Sequence, residues 1–371
     1  MQTTNSRTWS MGRLAQAVKG RDRRQMSRGL TFGLLLLILP TFAGCAIFPV
    51  SHTGSVQSLP KPAYAANGME LVWGKDVKAK ALAMIRNSHT RIDLDMYELS
   101  DPDVIQALNQ AFHRHVQVQV VLDATEPHST GTGYPALQKD GIPTELIHIK
   151  SGIDHVKMLV VDNDVLIGGM NYGSSSWENN DASVYIPHAD GQFQAMFDWD
   201  FRRASGAVAQ APVTELPLVT DGRIGEAMVT AISSARKTID MEAFDLSDRD
   251  VIDALHQAVL RGVQVSILVD PTQRTYSESG VSLLQAAGAL VRYYRPYQGE
   301  LMHAKIVDID HGRTFLIGSA NFSNQAYTYN HEADLELHDV PEFAAALETD
   351  LHQELARGTD DPLKEKESTW T

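Results

Sequence analysis

His155-Val156-Lys157, with Asp162 five residues further on, recurs as His303-Ala304-Lys305 with Asp310 at the same offset. Each copy sits at the same point of a longer repeat. The run Ile92-Asp93-Leu94-Asp95-Met96-Tyr97-Glu98-Leu99-Ser100-Asp101 aligns position by position with Ile239-Asp240-Met241-Glu242-Ala243-Phe244-Asp245-Leu246-Ser247-Asp248. Downstream, Asp103-Val104-Ile105 and Leu108 align with Asp250-Val251-Ile252 and Leu255, and Val116 to Asp123 aligns with Val263 to Asp270. The repeating unit is far longer than a solenoid repeat, so the chain divides into two domain-sized halves, each able to bury a core. Whatever one half folds into, the other must fold into as well.

Within a half the hydrophobic period switches. Ile92, Leu94 and Met96 alternate with acids, the period of a strand. Ser100 ahead of Pro102 and Asp103 reads as a capped helix start, followed by Val104, Ile105, Leu108 and Phe112 at helical spacing. Val116 to Leu122 is a second strand. Met158 to Val161 and Val165 to Ile167 read as buried strands about a turn at Asp162-Asn163-Asp164. Strand, helix, strand, repeated, predicts an α/β fold: two duplicated α/β sandwich halves packed face to face about a pseudo-two-fold axis, bringing the two motifs together. Phe193, Phe197 and Phe201 form a helical core stripe; Trp177 is either a wall of the site or core.

The first residues follow a different rule. Arg21, Arg23, Arg24 and Arg28 precede Leu34-Leu35-Leu36-Leu37-Ile38-Leu39, and then Phe42-Ala43-Gly44-Cys45. A basic segment, a short apolar run and small residues describe a secretory signal. Cys45 is the single cysteine, so no intramolecular disulfide can form. The run into Cys45 resembles the lipobox of bacterial lipoproteins, and that resemblance implies a lipidated Cys45 and an exported protein held at the bacterial cell envelope, facing outside the cytoplasm. The expected division is a signal peptide at 1–44, the lipidated Cys45 with a flexible tether at 45–67, the first half at 68–205, a linker at 206–217, the second half at 218–357 and a tail at 358–371. Loss of residues 1–44 would take the formal charge from −14 to −20. A body that acidic lacks the broad basic surface of a non-specific nucleic-acid binder.

The chemistry lies in the doubled motif. Residues i and i+2 of a strand share a side, so His155 projects with Lys157 and His303 with Lys305. An ammonium beside an imidazole suits a phosphate: the cation holds non-bridging oxygens while the ring attacks phosphorus or moves a proton. Asp162 and Asp310 fall at turns, where they either join the site or fix the turn. Asp181, in Asn179-Asn180-Asp181, and Glu332, in Asn330-His331-Glu332, are candidates to orient the rings. Gly168-Gly169-Met170-Asn171 and Gly318-Ser319-Ala320-Asn321 place small residues where a phosphate would approach and add an amide from each Asn. No His, Cys and acid spacing suggests a metal site or cofactor.

Both halves resemble the phospholipase D superfamily, with its double His-x-Lys-x4-Asp motif followed by Gly-Gly/Ser-x-Asn and Asn-x-Glu/Asp. The resemblance covers about residues 68 to 356. It implies a metal-independent phosphodiesterase with one site completed within a single chain and acting on phospholipid. His155 would be the nucleophile that forms a phosphohistidine, and His303 the acid and base. Lys157, Lys305, Asn171 and Asn321 would hold phosphoryl oxygens, with Asp181 and Glu332 orienting the rings; Asp162 and Asp310 complete the motif. Gly168-Gly169-Met170-Asn171 looks like the cardiolipin synthase branch, whereas Gly318-Ser319-Ala320-Asn321-Phe322-Ser323 looks closer to nuclease-like members. A nuclease, and a non-catalytic phosphate-binding lipoprotein, are the alternative readings.

Overall fold

The structure, a computed structural model, describes residues 57–363; the signal-like run, Cys45 and the end of the tail lie outside them. The first half supplies β1 (Ala63–Tyr64), β2 (Glu70–Trp73), β3 (Arg91–Met96), β4 (Gln117–Asp123), β5 (Thr144–Ile147), β6 (Lys157–Val161), β7 (Asp164–Gly168) and β8 (Ala182–Ile186). Its helices are α1 (Gly74–Arg86), α2 (Pro102–His113), α3 (Tyr134–Lys139) and α4 (Gln192–Ala204). The second half supplies β9 (Leu218–Thr220), β10 (Thr238–Ala243), β11 (Gln264–Val269), β12 (Leu290–Tyr293), β13 (Lys305–Ile309), β14 (Thr314–Gly318) and β15 (Ala333–His338), with α5 (Gly222–Ser234), α6 (Arg249–Leu260), α7 (Arg274–Ala287), α8 (Asn324–Thr328) and α9 (Pro341–Arg357).

The strands form two mixed sheets, ordered β1-β2-β8-β7-β6-β3-β4-β5 and β12-β11-β10-β13-β14-β15-β9. Read from opposite ends the orders correspond strand for strand, apart from the extra β1. In both sheets the strand that opens at the motif lysine pairs antiparallel with the alternating apolar–acid strand: Met96 faces Lys157 and Ala243 faces Lys305. The duplicated α/β architecture expected from the repeat is the observed one.

Each sheet has an apolar outer layer. Val77, Ile85, Val104 and Leu108 of α1 and α2 cover Ile92, Leu94, Met96 and Val120. Met228, Ile232, Val251 and Leu255 of α5 and α6 cover Ile239, Met241 and Ile267. The inner faces share one continuous core. Met158, Val160, Val165 and Ile167 join Leu268, Ile306, Phe315 and Ile317, together with Phe193 and Phe197 of α4 and Phe343, Leu347 and Leu351 of α9. Burying a large apolar side chain contributes about 1.5–3 kcal/mol, so a core shared between halves ties them firmly.

Two local readings change. The cap of α2 is Asp101, not Ser100: its carboxylate accepts from the Asp103 and Val104 amides, because Pro102 takes the first helical position. Asp248 caps α6 the same way. The acids that alternate along β3 and β10 do not face water either. Asp93, Asp95, Asp240 and Glu242 are buried on the inner face against α4 and α9.

Asp162 and Asp310 belong to the scaffold and not to the catalytic group. Both adopt φ of +54° at the turn after the motif strand, a conformation that Asp tolerates better than bulkier residues. The Asp162 carboxylate accepts from the amides of His89, Thr90 and Arg91 at 2.8–3.0 Å and from the Thr90 hydroxyl. Asp310 accepts from the amides of Arg236, Lys237 and Thr238. Each therefore pins the start of the neighbouring strand. The bonds to Thr90 and these amides outweigh burial and hold Asp162 down at about 2. Asp162→Ala should lower stability by about 1–2 kcal/mol while leaving turnover of the folded protein nearly unchanged. A rate loss exceeding tenfold at a temperature where the variant is folded would return Asp162 to the reacting group.

Candidate active site

The motif histidines stand immediately ahead of β6 and β13, and loops from the opposite half lock them there. The His155 amide donates to the His331 carbonyl at 2.8 Å, and the His331 amide donates to the Ile153 carbonyl at 2.9 Å. The His303 amide donates to the Asn180 carbonyl at 2.7 Å, and the Asn180 amide to the Leu301 carbonyl at 2.9 Å. Each half thus reads the backbone of the other at the motif.

The side chains repeat the exchange. His155 Nδ1 lies 2.9 Å from Oε2 of Glu332 and 3.1 Å from Oε1. His303 Nδ1 lies 2.6 Å from Oδ2 of Asp181. The orienting acids therefore cross between halves. With Nδ1 tied to a carboxylate, Nε2 of His155 is the nitrogen left for chemistry, whereas Nε2 of His303 lies 3.1 Å from the Lys305 ammonium. Glu332 is itself held by the Ser319 hydroxyl at 2.6 Å and the Asn330 amide at 2.9 Å. The aromatic residue at the end of each alternating strand packs against the ring: Tyr97 at 5.1 Å from His155 and Phe244 at 4.6 Å from His303, between centroids. Those same rings lie 5.0 and 5.1 Å from the ammonium groups of Lys157 and Lys305, close enough for a cation–π contribution.

The glycines have a packing role that the sequence reading assigned to phosphate. A Cβ on Gly169 would collide with the Asp181 carboxylate, and one on Gly318 with Asp334. Gly169 thus makes room for the acid behind His303, and Gly318 for Asp334, which accepts from the Ala320 amide. Asn171 and Asn321 are alike in a different way: the Oδ1 of each is buried without a hydrogen-bond partner. Asn171 and His303 line a cavity of about 940 Å³ walled by Trp73, Trp177 and Leu301, with Lys75, Glu98 and Glu300. Trp177 is thus both core and wall.

Burial sets the electrostatics. It pushes both imidazoles down, His303 to about 4, and Lys305 adds to the fall while Asp181 opposes it; at His155, Glu332 opposes burial. Burial likewise lowers Lys157 to about 7, with Lys305 adding to the fall against Glu332, and lowers Lys305 to about 8 against the pull of Asp181 and Glu332. Glu332 goes the other way: burial would raise it, but His155 and Lys157 prevail and bring it to about 2. At most two ammonium charges face the carboxylates of Asp181 and Glu332, so a proton added to an imidazole is uncompensated until an anion arrives. An arriving phosphodiester anion stabilises the lysines and favours a proton on one imidazole.

Sequence reasoning passed over the layer beneath. His331 Nδ1 lies 2.7 Å from Asp221 and Nε2 lies 3.1 Å from Asp200 of α4, with Asp95 and Asp154 alongside. At the matching place in the other half, Asn180 donates to Asp350 of α9 at 2.6 Å, with Glu242 alongside. The available signal was the acid repeated at positions 95 and 242.

A duplicated α/β fold that carries a His–Lys pair from each half to one interface defines a member of the phospholipase D superfamily. The profile of the family described as "Cardiolipin synthase, PLD-like domain" matches residues 81–203 and again 228–355. The chain belongs to that family. It is 26% identical over 366 residues to Cardiolipin synthase A of Pseudomonas putida (strain F1), covering 85% of this chain and 75% of the relative. It is 26% identical over 341 residues to Cardiolipin synthase A of Pseudomonas aeruginosa (strain LESB58), covering 79% and 69%. Among solved structures, the phosphatidylserine synthase of Haemophilus influenzae Rd KW20 superposes with a TM-score of 0.63 at 17% identity, over 80% of this chain and 88% of that one; at that identity the likeness concerns the fold.

These relatives correct the expected location. The lipobox-like run led to an exported lipoprotein outside the cytoplasm, whereas the proteins the chain resembles are named as synthases of phospholipids, and that location is withdrawn. A basic, apolar and small-residue run is a local pattern that packing does not constrain, so it constrains location far less than the duplicated motif constrains the fold. No helix among the described residues is long and apolar enough to cross a membrane.

Proposed function

We propose that the protein is a phospholipase D-type enzyme that moves a phosphatidyl group from a phospholipid to an alcohol or to water. The observation that carries this reading is the crossed exchange of acids, Glu332 to His155 and Asp181 to His303, which gathers both His–Lys pairs at one interface. In the first step Nε2 of His155 attacks phosphorus, the P–O bond to the head group breaks, and His303 gives its proton to the leaving alkoxide. In the second step His303 takes the proton of the acceptor hydroxyl, whose oxygen attacks phosphorus as the P–N bond to His155 breaks. Lys157 and Lys305 neutralise the non-bridging oxygens as charge grows. Asn171 and Asn321 would add amide donors to those oxygens. Every group in these steps is a side chain of this chain.

Phospholipid is favoured over nucleic acid by the names of the relatives and by the acidic body. Cardiolipin is two phosphatidyl groups on one glycerol, so phosphatidyl transfer to the glycerol of a second phosphatidylglycerol is the transfer to test first. The enzyme should be incubated with EDTA and vesicles of labelled phosphatidylglycerol, and separately with labelled single-stranded DNA. The expected products are cardiolipin with glycerol, or phosphatidic acid where water is the acceptor. DNA cleavage with no lipid turnover would show a nuclease, and no turnover of either would leave a phosphate-binding module.

A further inference from the structure

The duplication makes each half a control for the other, and at one place the two differ in charge. In the first half, Arg91 bridges two acids on the inner face: Nε lies 2.7 Å from Asp93 of β3, and an η nitrogen 2.5 Å from Asp198 of α4. The third neighbour, across the strand pair from Asp93, is Val160. In the second half the matching acids persist as Asp240 of β10 and Glu348 of α9. Thr238 replaces the arginine, and Asp308 replaces the valine, paired across from Asp240. One cation has gone and one anion has been added.

The carboxylate oxygens of Asp240, Asp308 and Glu348 lie within 4.8 Å of one another. Asp308 has no exposed surface, and its Oδ2 has no hydrogen-bond partner, while Oδ1 accepts from the Gly312 amide at 2.7 Å. The Thr238 hydroxyl, two residues before Asp240 on the same strand face, is also buried without a partner. Leaving a buried carboxylate oxygen unpaired costs several kcal/mol, so such an atom points to a missing partner. The basic groups facing the cluster are histidines. His311 Nδ1 binds one Glu348 oxygen at 2.5 Å, and His352 acts on Asp240 from α9.

We infer that Asp240, Asp308 and Glu348 bind one divalent cation at the position where the first half carries the Arg91 guanidinium. A set of carboxylate oxygens with a hydroxyl nearby suits a hard ion of the magnesium, calcium or manganese class. The ion would fasten α9 to the second sheet, as Arg91 fastens α4 to the first. It shares no residue with the phosphodiester chemistry.

The test uses chelator-stripped full-length protein titrated with MnCl2, followed by electron paramagnetic resonance of free Mn²⁺, and with CaCl2, followed by thermal melting. The expected result is saturable binding of about one Mn²⁺ per chain, and a melting temperature raised by roughly 5 °C at a hundredfold excess over Kd. Glu348→Gln should weaken binding by roughly tenfold or more. Thr238→Arg/Asp308→Val rebuilds the arrangement of the first half, so it should fold, bind no ion there and melt at one temperature with or without metal. Absence of saturable binding to the unmodified protein at millimolar Mn²⁺, or binding undiminished in the folded double variant, would overturn the site. Lipid turnover in EDTA by that double variant is a separate reading, so failure of the metal site and failure of the proposed chemistry are distinguishable.

Discussion

His155→Asn should lower phosphatidyl turnover by about four orders of magnitude or more, and His303→Asn by a similar factor, because members of one catalytic unit lose most of the rate singly. The two variants should still differ. With a phosphatidyl ester whose leaving group needs no proton, His303→Asn retains the nucleophile but has no base for the second step. It should accumulate a phosphatidyl-enzyme that is acid-labile and base-stable, as a P–N bond is. His155→Asn should accumulate none. The label trapped on His155→Asn instead would reverse the two roles, and label on neither would remove the covalent step. Rate against pH provides an independent check. The His155 and His303 imidazoles lie below their ordinary value in the empty site, so acidification costs activity only where the nucleophile gains a proton. On the alkaline side kcat/KM should fall from about pH 7–8, as Lys157 and Lys305, at about 7 and about 8, lose the charge that holds the phosphate. It should fall further because the proton that His303 delivers must be taken up on binding. A flat profile from pH 6 to 9, with chemistry limiting, would contradict this electrostatic arrangement.

The sheets, their duplication and the histidine–lysine pairs were legible because they are written locally: a period of two, a period of 3.6, and one motif printed twice. The crossing of the acids was not. Glu332 lies 177 positions from His155, and Asp181 lies 122 from His303; no periodicity links residues so distant, and only the docking of the halves does. Facing was equally hidden. Alternation along β3 and β10 separates two faces of a strand but does not say which meets water, and α4 and α9 cover the acid face as well. Asp162 and Asp310 show the opposite limit: they recur with the motif as faithfully as the histidines, yet the repeated need they serve is a turn. The amino-terminal run shows a third: it lies outside residues 57–363, and a local pattern of basic and apolar residues alone did not fix where the protein acts.

His331→Asn should lower stability by about 3–5 kcal/mol, the loss expected when one partner is taken from a buried ion pair, and the melting temperature by about 10 °C. Asn is the residue that the first half carries at the matching position, Asn180, so the backbone tolerates it and the effect isolates the charge. Burial alone would push the His331 imidazole down, but Asp200 and Asp221 overcome it and raise the group to about 10. The unfolded value is about 6.5. A group raised on folding contributes its full stabilisation below the unfolded value and loses it as pH rises through the folded one. The unmodified protein should therefore lose stability steadily from about pH 6.5 to 10, and His331→Asn should be flatter across that window. Removing the imidazolium leaves Arg203, 2.6 Å from Asp200, as the remaining cation among these acids. Burial, with Asp154 and Asp200, pushes the Asp95 carboxyl well above its ordinary range. Adding Asp200→Asn to the variant should recover part of the loss, since the uncompensated carboxylate then disappears. The effect reaches the active site through the chain: the His331 carbonyl holds the His155 amide, and Glu332 is the next residue. At a temperature where it is folded, the variant should show a lower kcat with KM little changed. A melting temperature unchanged between pH 7 and 10 in both proteins would mean that His331 is neutral and that the crossed loops are held by packing alone.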